Sequence, residues 1–250
     1  VCALLAGGGH AEYAAVPVGQ MFPVPSGVDL VSAAGIPEAF LTAYLNLVVE
    51  GGLQRGGRAL IHAGASGVGL AAIQTARRLG AAVAATTRTA AKIPAVREAG
   101  ADLAIDTSAA SFPEAIREAW GPGAIDVVLD PVGAETLDGD LAVLASGGRI
   151  IFLATMSGAE AKFDIRRLME KRGRLIGSTL RSRSREAKTA LVERFRLEML
   201  PGFETGELSV SIDSVHRPED AADAFRRMQD NRNAGKMLID WTKDGPVPRR

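Results

Sequence analysis

From residue 57 onward, short apolar runs alternate with stretches whose apolar positions recur every three or four residues. "RALIHAG" (58–64), "AAVAATT" (81–87), "ADLAIDT" (101–107), "AIDVVLD" (124–130), "GRIIFLA" (148–154) and "RLIGSTL" (174–180) read as strands. Each is too short and too continuously apolar to be one face of a helix. Between them, "LAAIQTARRLG" (70–80), "TAAKIPAVREAG" (89–100), "SFPEAIREAW" (111–120) and "AETLDGDLAVLAS" (134–146) have helical spacing. The first helix puts Val68, Ala72, Thr75, Ala76 and Leu79 on one face and stops at Gly80. The second starts at Thr89 as N-cap, and the third at Ser111 with Pro113 in its first turn. Strand and helix alternating at this spacing predict βαβ units and a parallel sheet covered on both faces. The fold class expected is therefore α/β, a doubly wound (Rossmann) six-stranded parallel sheet. The pattern then changes. A long helix over 184–200, a strand over "LSVSIDSVH" (208–216), a helix over "PEDAADAFRRMQD" (218–230) and a last strand over "KMLIDW" (236–241) follow, with a loose tail "TKDGPVPRR". Residues 1–30 are rich in Gly and Pro, with a short strand expected around "AEYAAVP" (11–17).

Composition narrows the function classes. The 250 residues are 47% hydrophobic and 5% aromatic, with 29 cations balanced by 29 anions, so neither nucleic acid nor a membrane surface is the expected main partner. Cys2 is the lone cysteine, which rules out an intrachain disulfide and a four-cysteine zinc site and suits a reducing cytoplasm. His10, His62 and His216 share no metal-ligand spacing. No apolar run has the length of a membrane span.

The candidate chemistry lies in "IHAGASGVGLAAIQ" (61–74), between the first strand and the first helix. Gly64, Ser66 and Gly69 occupy the slots of G-x-G-x-x-G, the turn that cradles a dinucleotide pyrophosphate against the N–H groups of a helix start. Ser66 stands in the middle slot, where a small residue keeps the backbone accessible and a hydroxyl can donate to a phosphate. A hydrolase nucleophile elbow would need Gly where Val68 stands. About twenty residues past the first Gly, NAD enzymes carry an Asp or Glu for the ribose hydroxyls. Here the segment is "TTRTAAK", with Thr87, Arg88 and Lys92 and no acid to repel a 2′-phosphate, which favours NADP(H). His62, in a buried strand, reads as a satisfied core histidine; Asp130 reads equally as a loop former or a neighbour of ligand.

"AAGIPEAFLTAYLNL" (33–47), "HAGASGVGLAAIQ" (62–74), "LDPVGAET" (129–136) and "STLRSRSREAK" (178–188) together resemble the zinc-independent quinone oxidoreductases of the medium-chain dehydrogenase/reductase superfamily, in their tumour-suppressor-inducible, zeta-crystallin-like branch. The resemblance covers the whole chain and implies three parts. These are the end of a GroES-like β-rich substrate domain at 1–32, a dinucleotide-binding domain at 33–182, and a return to the substrate domain at 183–250. It implies cofactor contacts at Thr42 (nicotinamide amide), at Ala65, Ser66, Gly67 and Val68 (pyrophosphate), and at Thr87, Arg88 and Lys92 (2′-phosphate). Further contacts implied are Pro131 and Val132 beneath the adenosine, Leu153, Ala154, Thr155 and Met156 as a nicotinamide wall, Leu180 and Arg181 closing over it, and Asn231 on the return segment. Thr107 stands where the branch usually has a Tyr near the 2′-phosphate, which weakens the NADP preference without cancelling it. Glu38 lies near the position where zinc-dependent relatives present a Cys, so no metal is expected. The family's N-terminal arm, with its substrate-facing Asn and Tyr, is absent from this sequence.

The reaction implied is hydride transfer from NADPH to a quinone or an activated enone, a small-molecule partner held in a cleft near the carboxyl ends of the strands. An enoyl-thioester reductase of the same superfamily and a non-catalytic NADPH-binding protein are the alternatives. By the resemblance, a homodimer forms through the 174–180 strand, whose apolar, uncharged middle would make a poor exposed edge.

Overall fold

The computed structural model describes residues 1–242. In chain order its strands are β1 (Cys2–Ala3), β2 (Met21–Phe22), β3 (Arg58–Ile61), β4 (Ala82–Thr87), β5 (Leu103–Asp106), β6 (Ile125–Asp130), β7 (Leu144–Phe152), β8 (Arg174–Gly177), β9 (Ile212–His216) and β10 (Lys236–Ile239). Its helices are α1 (Leu30–Ala34), α2 (Ile36–Tyr44), α3 (Gly67–Arg78), α4 (Ile93–Glu98), α5 (Phe112–Trp120), α6 (Leu137–Val143), α7 (Ile165–Lys171), α8 (Arg185–Glu198), α9 (Leu200–Glu204) and α10 (Ala221–Gln229). A π-helical stretch, Leu45–Glu50, continues α2.

The chain forms two compact units. One comprises residues 42–65 and 69–179, the other 1–41, 66–68 and the described residues from 180 on. The first contains the six-stranded sheet expected from the alternation, in the order β5-β4-β3-β6-β7-β8 with every pair parallel. Its central strands are buried along most of their length because helices cover both faces, which is why they read as apolar runs rather than alternating ones. Leu60, Ile116, Ile125, Val128, Leu141 and Ile150 form the heart of one core cluster, each fully buried. Burial at that level contributes on the order of 1.5–3 kcal/mol per large side chain. The strand order reverses between β3 and β6, so the crevice outside their carboxyl ends is where this fold opens to ligands.

The second unit pairs β1 with β2, Cys2 opposite Phe22 and Ala3 opposite Met21, and β9 with β10 in parallel. The ring pairs Phe22–Phe195, at 5.7 Å, and Phe40–Phe203, at 4.7 Å, lie in its interior.

Several boundaries differ from expectation. No strand forms around 11–17; residues 11–15 are exposed, and the pairing segments flank them instead. That stretch has no buried surface against which its side chains could alternate, and Pro17 has no N–H for a ladder. The helix after β3 begins three residues earlier than expected, at Gly67, and is buried at every position from Gly69 to Ala76 rather than along one face. The helix expected over 89–100 opens with a 3₁₀ turn, Ala90–Lys92, before α4. The helix expected over 134–146 is only α6, because Asp130 claims the preceding turn: its Oδ1 accepts the amides of Val132 and Gly133, and its Oδ2 the Thr136 hydroxyl. Strand β7 starts four residues early, since Leu144 pairs with Ile125 across a register shift. The helix expected over 184–200 breaks after Glu198, and α9 restarts with Pro201 in its first turn. From residue 243 on, the tail expected to be loose lies outside the described residues.

Candidate functional site

Strand β3 delivers the chain into the glycine loop. Ala63 takes a left-handed backbone (φ 49°), and the Gly64 amide donates to the Thr86 carbonyl at 2.8 Å, tying the loop to the end of β4. A Cβ on Gly64 would lie 3.0 Å from the Ala85 Cβ. At Gly69 the constraint is severe: a Cβ there would lie 2.5 Å from the Ala63 carbonyl oxygen and 2.6 Å from that of Gly64. The first turn of α3 thus rests on the loop backbone with room only for hydrogen. This seat places the N-terminal turn of a twelve-residue helix at the loop, with its partial positive charge. Ala65 is buried, whereas Ser66, Gly67 and Val68 are half-buried. Ser66 forms a parallel bridge with Gly235, and the Lys236 stem passes so close to Gly67 that a Cβ there would be 2.2 Å from its Cδ. The Lys236 ammonium donates to Glu38 Oε2 at 2.7 Å.

The end of β4 carries the residues expected to sort the cofactors. Thr86 and Thr87 are buried, Arg88 is exposed, and Lys92 is half-buried in the 3₁₀ turn. The Thr87 hydroxyl donates to the Thr89 carbonyl at 2.9 Å. Thr107 directs its hydroxyl (3.0 Å) and its amide (2.8 Å) at the Thr87 carbonyl, so its side chain braces β4 against the end of β5.

Beyond β6 and β7 the two loops are zipped together. The Met156 amide donates to the Pro131 carbonyl, the Ser157 amide and hydroxyl both donate to the Val132 carbonyl, and Gly133 bridges Gly158. Pro131, Val132 and Leu153 are half-buried, whereas Ala154, Thr155 and Met156 are exposed. Asp130, fully buried, is the former of this loop. Thr42 is buried, and its carbonyl accepts the Asn46 side-chain amide at 2.8 Å. The strand ends of the sheet-bearing unit therefore bring Ala65, Thr87, Arg88, Thr107, Pro131, Val132 and the 153–156 segment to one edge of the sheet. Leu180, Arg181 and Asn231 belong to the other unit. There the Arg181 carbonyl accepts the Lys188 ammonium at 2.7 Å, and Asn231 turns the chain in a left-handed conformation (φ 54°) after α10.

A buried polar cluster lies beneath this edge. His62 is a satisfied core histidine, with Nδ1 2.9 Å from the Thr86 hydroxyl, Nε2 2.8 Å from Asp140 Oδ1, and the Phe112 ring edge-on at 4.9 Å. Asp140 was not singled out by sequence reasoning. Its signal is an acid beside Leu137 and Leu141, on the inward face of its helix. Burial pushes the Asp140 carboxyl up to about 6 against the opposing pull of His62. For His62, burial disfavours the charged ring, but Asp140 and then Asp130 outweigh it and raise its pKa. Both groups thus hold protons more tightly than they would in water.

Among the described residues, no three His, Cys, Asp or Glu side chains gather as a metal-ligand set, and no helix is long and apolar enough to cross a membrane.

A family profile described as zinc-binding dehydrogenase matches residues 67–195. The chain is similar to the human quinone oxidoreductase, 29% identical over 233 residues, covering 93% of this chain and 69% of that protein. It is 34% identical over 230 residues to NorB of Streptomyces orinoci, a spectinabilin polyketide synthase system protein, covering 90% of this chain and 10% of the synthase. The chain therefore spans about a tenth of the length of that synthase. Among solved structures, a quinone oxidoreductase of Thermus thermophilus, described together with its NADPH complex, superposes with a TM-score of 0.83 at 34% identity, covering 95% of this chain and 75% of that one.

Proposed function

The chain belongs to the zinc-binding dehydrogenase family, in the quinone oxidoreductase type of the medium-chain dehydrogenases and reductases, and from that premise we propose that it is an NADPH-dependent reductase of quinones or related activated enones. The observation that carries this reading is the seat of Gly69 on the Ala63 and Gly64 carbonyls, beside a β4 end with cations and no carboxylate. That seat sets the N–H groups of α3 against the loop, where they and the Ser66 hydroxyl accommodate a pyrophosphate. Arg88 and Lys92 take the 2′-phosphate, Thr42 the nicotinamide amide, and Pro131, Val132 and the 153–156 segment wall off the rings. When bound, NADPH supplies the hydride, and the protein's part is to orient it and exclude water. The reaction proposed uses no metal step. A lone cysteine suits a cytoplasmic enzyme, and we assign a homodimer through the β8 edge.

The double variant R88A/K92A tests the cofactor. It should weaken NADPH binding at least about tenfold, the scale of one or two lost charge-assisted bonds, and change NADH binding less than about twofold. Equal losses for both dinucleotides would overturn the NADPH assignment. Similarity to polyketide synthases favours a second reading, an enoyl-thioester reductase. NADPH oxidation with an ortho-quinone against a short enoyl-CoA separates the two, and turnover of neither in the presence of tight NADPH binding would leave a non-catalytic binding protein.

A further inference from the structure

His62 has no place in the reaction proposed, yet its side chain joins the end of β3 to three other elements beneath the strand ends. It follows β3, and its ring meets Thr86 of β4 at 2.9 Å, Asp140 of α6 at 2.8 Å and the Phe112 ring of α5 at 4.9 Å. Asp130 of β6 faces the cluster electrostatically. His62, Thr86, Asp130 and Asp140 are each no more than 3% exposed, and Asp140 Oδ2 has no hydrogen-bond partner. An apolar side chain would fill this place without burying charge, so the cluster does not stand on packing alone. What it adds is direction. When the ring is neutral and Asp140 accepts from Nε2–H, Nδ1 is left as an acceptor and the Thr86 hydroxyl donates to it. The Gly64 amide already holds the Thr86 carbonyl, so the start of the glycine loop and the end of β4 are joined twice, once by backbone and once by this ring.

We propose that His62 is a positioning residue for cofactor selection, which, oriented by Asp140, holds Thr86 and thereby fixes the strand end that presents Thr87 and Arg88 to the 2′-phosphate. The inference rests on the NADPH reading above. Replacing His62 by Phe leaves Asp140 buried beside no partner and endangers folding, so the deciding variant is T86V, which keeps the shape and removes the hydroxyl. Direct binding titrations with NADPH and NADH should show NADPH weakened about five- to tenfold, NADH changed less than about twofold, and T86S restoring the wild-type ratio. A second measurement follows the His62 ring by nitrogen NMR in the wild-type protein. Protonation makes Nδ1 a donor, so the Thr86 hydroxyl changes from donor to acceptor and must turn its own proton away, and the NADPH-to-NADH affinity ratio should change with the His62 titration, among Asp140, Asp130, Thr86 and Phe112 as its neighbours. A folded T86V with an unchanged ratio, or a ratio that stays flat while His62 titrates, overturns this inference and leaves the NADPH reading standing. A wild-type protein that binds neither dinucleotide overturns both.

Discussion

A single hydrogen atom at position 69 decides how α3 meets the sheet. The backbone oxygens of Ala63 and Gly64 stand 2.5 and 2.6 Å from where a Cβ would be, and backbone gives way less readily than the end of a flexible side chain. Gly69→Ala should therefore destabilise the protein by about 1–3 kcal/mol, as overpacking does, and weaken dinucleotide binding with it. Urea midpoints and NADPH titrations of the variant check this, and a Gly69→Ala variant with both unchanged would mean that the loop can shift aside. The need for a small residue at this slot was legible in the motif. The duty of Thr107 was not: in sequence it is a missing ring, whereas in three dimensions its amide and hydroxyl brace the Thr87 carbonyl. Asp140 escaped notice because an acid within an apolar helix face is explained only by the histidine across from it, 78 residues earlier in the chain.

Elements buried on both faces were the easiest to read. Strands β3, β4 and β6 appear as largely apolar runs because helices cover both faces of the sheet there. Their ends were harder, since the Asp130 turn and the Leu144–Ile125 pairing move the starts of α6 and β7 by side-chain capping and cross-strand register, neither of which has a helical or strand period. Strand β8 is the edge beside β7, with Leu175 and Ile176 half-buried between exposed Arg174 and Gly177. The Ser178 amide donates to Phe152 of β7, so the Ile176 amide faces β7 as well and the Leu175 amide faces outward. Leu175→Pro removes a backbone donor from that outer side. If two copies pair there, this variant should run as a monomer in light scattering while the wild-type protein runs as a dimer; a Leu175→Pro dimer would place the contact elsewhere.

At the scale of the whole molecule, the buried cluster gives stability a pH dependence of known sign. The folded Asp140 carboxyl is raised from 3.8 to about 6, so its contribution is fully present below pH 3.8 and is lost as pH rises through about 6. The raised His62 acts in the same direction at its own, higher titration. Asp213 acts oppositely. Although burial alone would raise its pKa, hydrogen bonds from Arg227, Ala234 and Ser214 lower it, so its contribution is present above 3.8 and lost in acid. Comparing wild type with Asp140→Asn tests the Asp140 and His62 effects together: the wild-type advantage in unfolding free energy should fall between about pH 4 and pH 6 with Asp140 itself, and fall further above as His62 titrates, because Asp140 is what raises the His62 pKa. A constant difference over that range would show that Asp140 ionises as it does in water.

The sequence by itself determined the βαβ alternation, the six strands, the place of the glycine loop and the absence of an acid after β4. All of these are local, being set by burial period and by which residue types a tight turn or a phosphate tolerates. Only the tertiary structure decided which side chains complete one another: Thr107 with Thr87, Asp130 with its own turn, Lys236 with Glu38, and His62 with Thr86 and Asp140. A buried polar group is stable only beside a partner, and the partner's place in the chain follows from the topology that folds it there rather than from any spacing in sequence.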